Sequence, residues 1–146
     1  GILVRPLLNT IVELESARVK VLFSHENRKV HSSVVPLLRE FLSHELGREV
    51  EVISRFNSWE TLYAVTDNVF DLVILADSYG THDLTSKDLV KRIKKLDQSI
   101  PVIQFSDGKS VDSYQTDVTL PFPKKREELH SLTHFFRGSH SGLRKK

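Results

Sequence analysis

The sequence predicts a single α/β domain built on a parallel β-sheet with helices on both of its faces. Short apolar runs alternate with amphipathic helical stretches along most of the chain, a pattern typical of right-handed βαβ crossovers. The run Phe70–Ala76 is apolar except for Asp71, as expected of a central parallel strand buried on both faces. A length of 146 residues suits one domain, because two domains of half this size would each bury too small a core.

Five strands can be placed in order along the chain, separated by segments of helical or turn-like sequence. The strands are predicted at Val19–Phe23, Glu49–Ile53, Phe70–Ala76, Pro101–Phe105 and Asp117–Leu120. Apolar stripes at helical spacing predict helices at residues 34–46, 57–65, 85–96 and 127–136. These elements predict a flavodoxin-like sheet of strand order 2-1-3-4-5, in which binding sites lie at the carboxyl ends of the strands.

Individual residues mark where the predicted helices begin and end. Asn57 and Thr85 each stand three residues before an acidic side chain, which is the spacing of a capping box. Gly47 is suited to end the first helix. Pro36 is expected in the first turn of that helix, where its missing N–H costs nothing.

Composition excludes several classes of function. The chain has no cysteine, which rules out disulfides, thiolate catalysis and cysteine-ligated zinc. Its net charge of +2 gives no strong attraction to nucleic acid. No apolar run approaches the roughly 18 residues that a membrane span requires. We therefore expect a cytoplasmic domain that does not bind nucleic acid, has no membrane span in this segment, and uses no metal or cofactor.

The two ends of the chain differ in character from its middle. Residues 1–17 are apolar at near-helical spacing but contain Pro6, and we interpret them as a connector from a preceding domain. Residues 18–137 form the predicted domain, and residues 138–146 are interpreted as a flexible basic tail. The chain contains no methionine, so we expect it to be a piece of a longer protein.

Three short motifs, in this order, resemble the receiver domain of two-component response regulators. They are the run Asp71-Leu-Val-Ile-Leu, the run Pro101-Val-Ile that precedes Ser106, and the pair Pro121-Phe122 that precedes Glu127-Glu128-Leu129. The resemblance extends from about Val19 to Arg137. It implies a phosphorylation pocket at the carboxyl ends of the strands, with carboxylates for Mg²⁺ and a lysine for the phosphoryl group.

The residues at the implied pocket positions are largely unsuited to that chemistry. The acidic pair after the first strand falls on His25 and Glu26, and the phosphoacceptor position falls on Ala76. The serine after the fourth strand is kept as Ser106, but the lysine position falls on Leu120. The chain therefore resembles a degenerate receiver, or pseudo-receiver.

Asp77 lies one position after the implied acceptor. A shift of one residue turns a strand side chain to the opposite face, so we expect Asp77 to be a solvated loop residue or a cap. Leu120 lies only fourteen positions after Ser106. The fourth helix of receivers falls in this interval, and here it is expected to be shortened or missing.

The function expected from these features is a non-enzymatic interaction domain in a two-component or phosphorelay protein, within a hybrid sensor kinase or a regulator. Its partner would be a kinase, a phosphotransfer domain or an output domain, and a homodimer is left open. Two alternatives are a receiver that accepts phosphate on Asp77 with Glu26 and Ser106, and an interaction module of the TIR or SEFIR kind.

Three groups of side chains on the predicted helices have more than one interpretation. The basic cluster Lys91, Arg92, Lys94 and Lys95 is either a solvated face placed favourably in the helix dipole or a docking patch for an acidic partner. Trp59 and Tyr63, four residues apart, are predicted to pack into the core, and the alternative is an exposed binding pair. His130 and His134, also four apart, are predicted to be solvated, because no third metal ligand lies near them in the sequence.

Overall fold

A computed structural model of the protein describes residues 18–106 and 117–135. Its strands are β1 (Val19–Ser24), β2 (Val50–Arg55), β3 (Leu72–Ala76), β4 (Val102–Ser106) and β5 (Val118–Pro121). Its helices are α1 (Arg28–Leu46), α2 (Ser58–Asp67), α3 (Ser86–Leu96) and a C-terminal 3₁₀ helix (Arg126–Phe135). The predicted connector at residues 1–17 and the predicted tail at residues 138–146 lie outside the described residues.

The five strands form one parallel sheet in the order β2-β1-β3-β4-β5, which confirms the predicted topology. Strand β3 lies at the centre of the sheet, and all five of its residues are buried, as its continuous apolar sequence predicted. Within residues 18–106 and 117–135, no helix is both long enough and apolar enough to cross a membrane.

The sheet separates two hydrophobic cores, one on each face. Alternate residues of the central strands point to opposite faces. On one face, Phe23, Ile74 and Phe105 pack with residues of α1 and the 3₁₀ helix. On the other face, Leu22 and Leu75 pack with residues of α2 and α3. The helices therefore cover both faces, as predicted.

The helix ends are capped largely as the sequence predicts. Asn57 Oδ1 accepts a hydrogen bond from Glu60 N at 2.8 Å, and Thr85 Oγ1 accepts one from the α3 backbone at 3.1 Å. Gly47 ends α1 in the left-handed conformation, with φ at 60°, and its N–H donates to Ser43 O at 3.0 Å. These contacts satisfy backbone groups that a helix end otherwise leaves without partners.

Helix α1 begins earlier than predicted. Asn27 is its N-cap and its side chain accepts a hydrogen bond from Lys29 N at 2.8 Å, so Pro36 lies inside the helix and not in its first turn. The expected start was wrong because residues 28–33 contain a single apolar residue, Val30, and so show no apolar stripe. Within the helix, Pro36 cannot donate to the carbonyl of Ser32, four residues before it.

The prediction that Trp59 and Tyr63 pack into the core was wrong. Their side chains are 36% and 61% exposed. The residues of α2 that face the sheet are Ser58, Thr61, Ala64 and Val65. A spacing of four residues keeps Trp59 and Tyr63 together, but on the side of α2 that faces away from β1 and β2.

The connection between β4 and β5 is short. Eleven residues separate Ser106 from Val118, which fits the prediction of a shortened or missing fourth helix, although residues 107–116 lie outside the described ranges. Asp117 fixes the start of β5, because its Oδ2 accepts hydrogen bonds from Val102 N at 2.7 Å and from Lys94 Nζ at 3.0 Å.

Candidate functional site

The predicted pocket residues meet at the carboxyl edge of the sheet. Ser24 ends β1, Ala76 ends β3 and Ser106 ends β4. Because parallel strands end at the same edge, this arrangement brings residues from distant parts of the sequence together. The contacts at this edge determine which of them face one another.

Asp77 faces Ser106, contrary to the expectation from the sequence. Ser106 Oγ donates a hydrogen bond to Asp77 Oδ2 at 3.1 Å. The reason is the strand register: Ala76 pairs with Phe105, so the next residue along each strand reaches the same level and the same face. Asp77 does point to the face of the sheet opposite to that of Ala76, as side-chain alternation requires. Ser106 points to the same face as Asp77, so the two side chains meet there.

Apolar side chains occupy the two positions that matter most for phosphoryl chemistry. Ala76, at the implied acceptor position, is 1% exposed. Leu120 is half-buried and packs against the α1 core, opposite Phe105 in the register. Leu120 therefore extends the core at the position where the receiver pattern places a cation.

Tyr79 is the principal feature of this edge that the sequence interpretation missed. It lies three residues beyond β3, and its hydroxyl comes back to the strand end, where it accepts a hydrogen bond from Ala76 N at 3.3 Å. The same hydroxyl lies 2.6 Å from Ser24 Oγ. Its ring packs against the core formed with α2 and α3. A tyrosine in a loop carries no sequence signal for this inward position.

The Tyr79 hydroxyl belongs to a chain of hydrogen bonds whose direction can be assigned. Thr61 Oγ1 donates to Asn57 O at 2.7 Å, so at 2.6 Å it accepts from Ser24 Oγ. Ser24 has then donated its only hydroxyl proton and accepts from Tyr79. The Ala76 amide therefore donates to Tyr79, Tyr79 to Ser24, Ser24 to Thr61, and Thr61 to the Asn57 carbonyl.

The environment of Tyr79 keeps its hydroxyl protonated. Burial raises the pKa of Tyr79 far above its ordinary value of 10.0, an effect that its hydrogen bonds with Ser24 and Ala76 only partly oppose. A protonated hydroxyl can both donate and accept, as its position between an amide N–H and a serine oxygen requires. The end of β3 is thus closed by a neutral, fully bonded group.

Glu26 and His25, at the positions of the acidic pair, point in different directions. Glu26 is exposed and lies beside the loop after β3: a Cβ atom at Gly80 would lie 3.7 Å from Glu26 Oε2. His25 Nδ1 accepts a hydrogen bond from Asn27 N at 3.0 Å, and its ring contacts the Phe122 ring edge-on, with centroids 5.4 Å apart. Burial, and next the positive charge of nearby His31, lower the pKa of His25.

His31 is buried beneath this corner of the sheet. Its Nε2 donates to the His25 carbonyl at 2.7 Å, which assigns the proton of the neutral ring to Nε2. Its Nδ1 is buried and has no hydrogen-bond partner among residues 18–106 and 117–135. Burial is the main cause that lowers the pKa of His31, because a charged ring here would be poorly solvated.

The side chains at this edge do not fit the Mg²⁺ of the receiver pattern. That metal requires several hard oxygen ligands in near-octahedral geometry. Among residues 18–106 and 117–135, no group of three histidine, aspartate or glutamate side chains is close enough to hold a metal ion. Ala76 supplies no carboxylate, and one oxygen of the Asp77 carboxylate is bonded to Ser106.

Comparison with known proteins gives a structural likeness and no likeness of sequence. No protein-family model and no curated protein sequence matches the chain. The receiver domain of sensor histidine kinase PA1611 from Pseudomonas aeruginosa PAO1, solved with magnesium in its active-site cleft, has a TM-score of 0.68 and 15% identity. The match covers 84% of this chain and 99% of that chain.

Two further receivers match at similar levels. Chemotaxis protein CheY4 of Vibrio cholerae has a TM-score of 0.66 and 19% identity, over 82% of this chain and 100% of that chain. Response regulator TrrA of Thermotoga maritima, in complex with Mg²⁺ and BeF, has a TM-score of 0.63 and 19% identity, over 78% and 95% of the two chains. By its sheet order and by these likenesses, the chain has the fold of response regulator receiver domains.

Proposed function

We propose that the protein is a non-phosphorylatable receiver-like interaction domain of a cytoplasmic two-component or phosphorelay signalling protein, and that it is not an enzyme. The observation that carries the proposal is the end of β3, where Ala76 replaces the acceptor and its amide is bonded to the Tyr79 hydroxyl. A receiver with this strand end has no nucleophile at the usual position.

The chemistry of phosphoryl transfer supports the same proposal. The reaction needs metal ligands and a positive charge near the transferred group. Leu120 supplies no charge, and Ser24, which ends β1 at this edge, is hydrogen-bonded to both Thr61 and Tyr79. A protein with these substitutions would keep the receiver fold but not the receiver reaction.

The proposed partner class is drawn from the likeness to solved receivers. A structurally similar receiver belongs to a sensor histidine kinase, and we place this chain likewise in a hybrid sensor kinase or a regulator. Its partner would be a kinase, a phosphotransfer domain or an output domain. The likeness to solved receivers favours this proposal over a TIR or SEFIR module.

A receiver that accepts phosphate on Asp77 is the second candidate, and one contact favours it. Ser106 stands at the position that binds phosphoryl oxygens in the receiver pattern, and its hydroxyl lies 3.1 Å from Asp77 Oδ2. A carboxylate and a phosphate-binding hydroxyl are thus adjacent. We prefer the first candidate because residue 120 is a leucine and not a lysine, so no cation at that position would balance the phosphate charge.

The test is an amide NMR titration with Mg²⁺ and then with beryllofluoride, which stands in for the phosphoryl group. We expect no saturable shift at Glu26, Asp77 or Ser106, and no label from acetyl phosphate. Asp77→Asn is the control. A saturable shift that Asp77→Asn abolishes would overturn the proposal and establish Asp77 as the acceptor.

A further inference from the structure

One side of the molecule carries an unusual concentration of exposed apolar surface. In the part of the chain that the structure describes, the exposed large hydrophobic side chains are Trp59 at 36%, Tyr63 at 61%, Val69 at 72% and Leu96 at 54%. All four lie on α2, on α3 or just after α2. Single exposed apolar residues are ordinary, but a group of them on one face marks an interaction surface.

Leu96 lines a groove between α2 and α3, and the Trp59 ring, which lies beside the Tyr63 ring, is next to Arg92 of the same groove. The groove has a volume of about 780 Å³, and a second hollow of about 310 Å³ continues it past the end of α2. Thr66 and Leu96 line both hollows, so the two lie side by side. We call the larger hollow the α2–α3 groove; its lining includes Leu62, Thr66, Lys91, Arg92 and Leu96, whereas Asp67 and Asp97 line the smaller hollow.

The rim of the α2–α3 groove is basic. Lys91, Arg92 and Lys95 line it, against one acidic side chain, Asp88. The Arg92 guanidinium lies 5.7 Å from the centre of the Trp59 ring, which links the basic rim to the aromatic side chains of α2. Lys94 has a different role, since it binds Asp117 and the Ile100 carbonyl.

Lys91 and Lys95 are not used inside the domain. Among residues 18–106 and 117–135, neither forms an ion pair or a side-chain hydrogen bond, and both are exposed. They stand four residues apart, so they project from the same side of α3. Two unpaired cations on the same helix as Arg92, which lies over the Trp59 ring, fit a ligand that offers carboxylates and apolar side chains together.

We propose that the α2–α3 groove binds an acidic amphipathic helix of another signalling protein, an inference that rests on the proposed function as an interaction domain. Apolar residues of the helix would lie along Leu62, Tyr63 and Leu96, and its carboxylates would pair with Lys91 and Lys95. A concave groove between two helices accommodates one helix face. A net charge of only +2 does not favour a long polyanion such as nucleic acid.

The test uses Trp59, which is the only tryptophan of the chain. The probe is a synthetic amphipathic peptide of about sixteen residues, with glutamate on one face and leucine at helical spacing on the other. We expect a saturable change in Trp59 fluorescence that weakens with added salt. The double variant Lys91→Glu/Lys95→Glu should weaken binding by at least about tenfold.

The matched control reverses the same number of charges elsewhere. Lys29→Glu/Lys124→Glu changes two lysines beside α1, and should leave the affinity within about twofold of the unchanged protein. Tyr63→Ala should also weaken binding, because the exposed ring can be removed without disturbing the core. Far-UV circular dichroism of each variant verifies that the fold is kept.

Several outcomes would overturn the inference. These are equal weakening by the two charge reversals, no fluorescence change with the peptide, and a response to anionic vesicles or single-stranded DNA but not to the peptide. Self-association abolished by Lys91→Glu/Lys95→Glu would assign the groove to a second copy of the chain instead. The beryllofluoride titration does not involve this groove, so a failure of the proposed function can be distinguished from a failure of this inference.

Discussion

At the scale of single residues, neutral hydrogen bonds close the end of β3. Tyr79 connects the Ala76 amide to Ser24, and Ser24 connects it to Thr61. Each member is both donor and acceptor, so removal of one hydroxyl leaves its neighbours without partners in a buried place. The stability of this edge therefore depends on a side chain in a loop.

Tyr79→Phe tests that dependence. The substitution keeps the ring but leaves the Ala76 N–H and a Ser24 lone pair without partners, so it should lower the free energy of unfolding by about 1–3 kcal/mol. Urea denaturation measures the change. Tyr63→Phe is the control: that residue is 61% exposed, and its loss of a hydroxyl should cost less than about 0.5 kcal/mol. Equal costs for the two would show that the Tyr79 hydrogen bonds contribute nothing.

His31 makes stability depend on pH. Its pKa is lowered from 6.5 in the folded state, mainly by burial, so below pH 6.5 the unfolded chain binds a proton that the folded chain does not. Stability is therefore complete above the unfolded pKa and falls as pH decreases towards the folded pKa. His25, whose pKa is also lowered, contributes in the same direction.

Urea denaturation between about pH 8 and pH 5 measures this loss. His31→Asn removes the titrating group and should flatten the dependence on pH, even though it lowers the stability at neutral pH. A slope unchanged by His31→Asn would exclude His31 as its source and leave His25 as the candidate for replacement.

At the scale of elements, helix α1 tolerates a proline that the sequence suggests lies at its start. Asn27 caps α1 seven residues before Val34, where the apolar stripe of the predicted helix begins. The hydroxyls of Ser32 and Ser33 donate to Arg28 O and Lys29 O at 3.1 Å, one turn earlier. The polar first turns are therefore held by local hydrogen bonds, which an apolar pattern does not reveal.

Pro36→Ala should stabilise the protein. Alanine restores an N–H that can donate to the Ser32 carbonyl, and it is the best helix former, so the free energy of unfolding should rise by at least about 1 kcal/mol. Thermal unfolding followed by circular dichroism measures the change. Arg39→Ala, at an exposed position nearly one turn further on, should change stability by less than about 0.5 kcal/mol. A loss of stability in Pro36→Ala would mean that the rigidity of proline outweighs the missing hydrogen bond.

At the scale of the whole molecule, the sequence predicts strands better than contacts. The five strands and their order follow from apolar runs separated by helical stripes, because burial on both faces constrains every residue of β3. The contact between Asp77 and Ser106 depends on register, which sets which residues of β3 and β4 lie side by side and which no local pattern encodes. The contacts of the Tyr79 hydroxyl with Ala76 and Ser24 depend on the path of a loop, which no local sequence pattern encodes either.

The exposed face of α2 shows the same limit. Trp59 and Tyr63 have the composition of core residues, and only the orientation of α2 on the sheet turns them outward. The sheet-facing positions of α2 are filled by smaller side chains, including Ser58 and Ala64, so helix and sheet approach closely without the aromatic rings. Two large rings left outside a closely packed interface are therefore a property of the assembled domain, and one that suits a binding surface.

Because a single sheet separates the two cores, we expect the whole domain to unfold in one transition. Leu38 packs in the α1 core and Ile93 in the α3 core, and both are 0% exposed. Leu38→Ala and Ile93→Ala should each lower the free energy of unfolding by about 2–5 kcal/mol. Trp59 fluorescence reports the α2 side alone, whereas far-UV circular dichroism reports every helix. In Leu38→Ala the two signals should keep a common midpoint; if the fluorescence midpoint stayed at its original value while the circular dichroism midpoint fell, the faces would unfold separately.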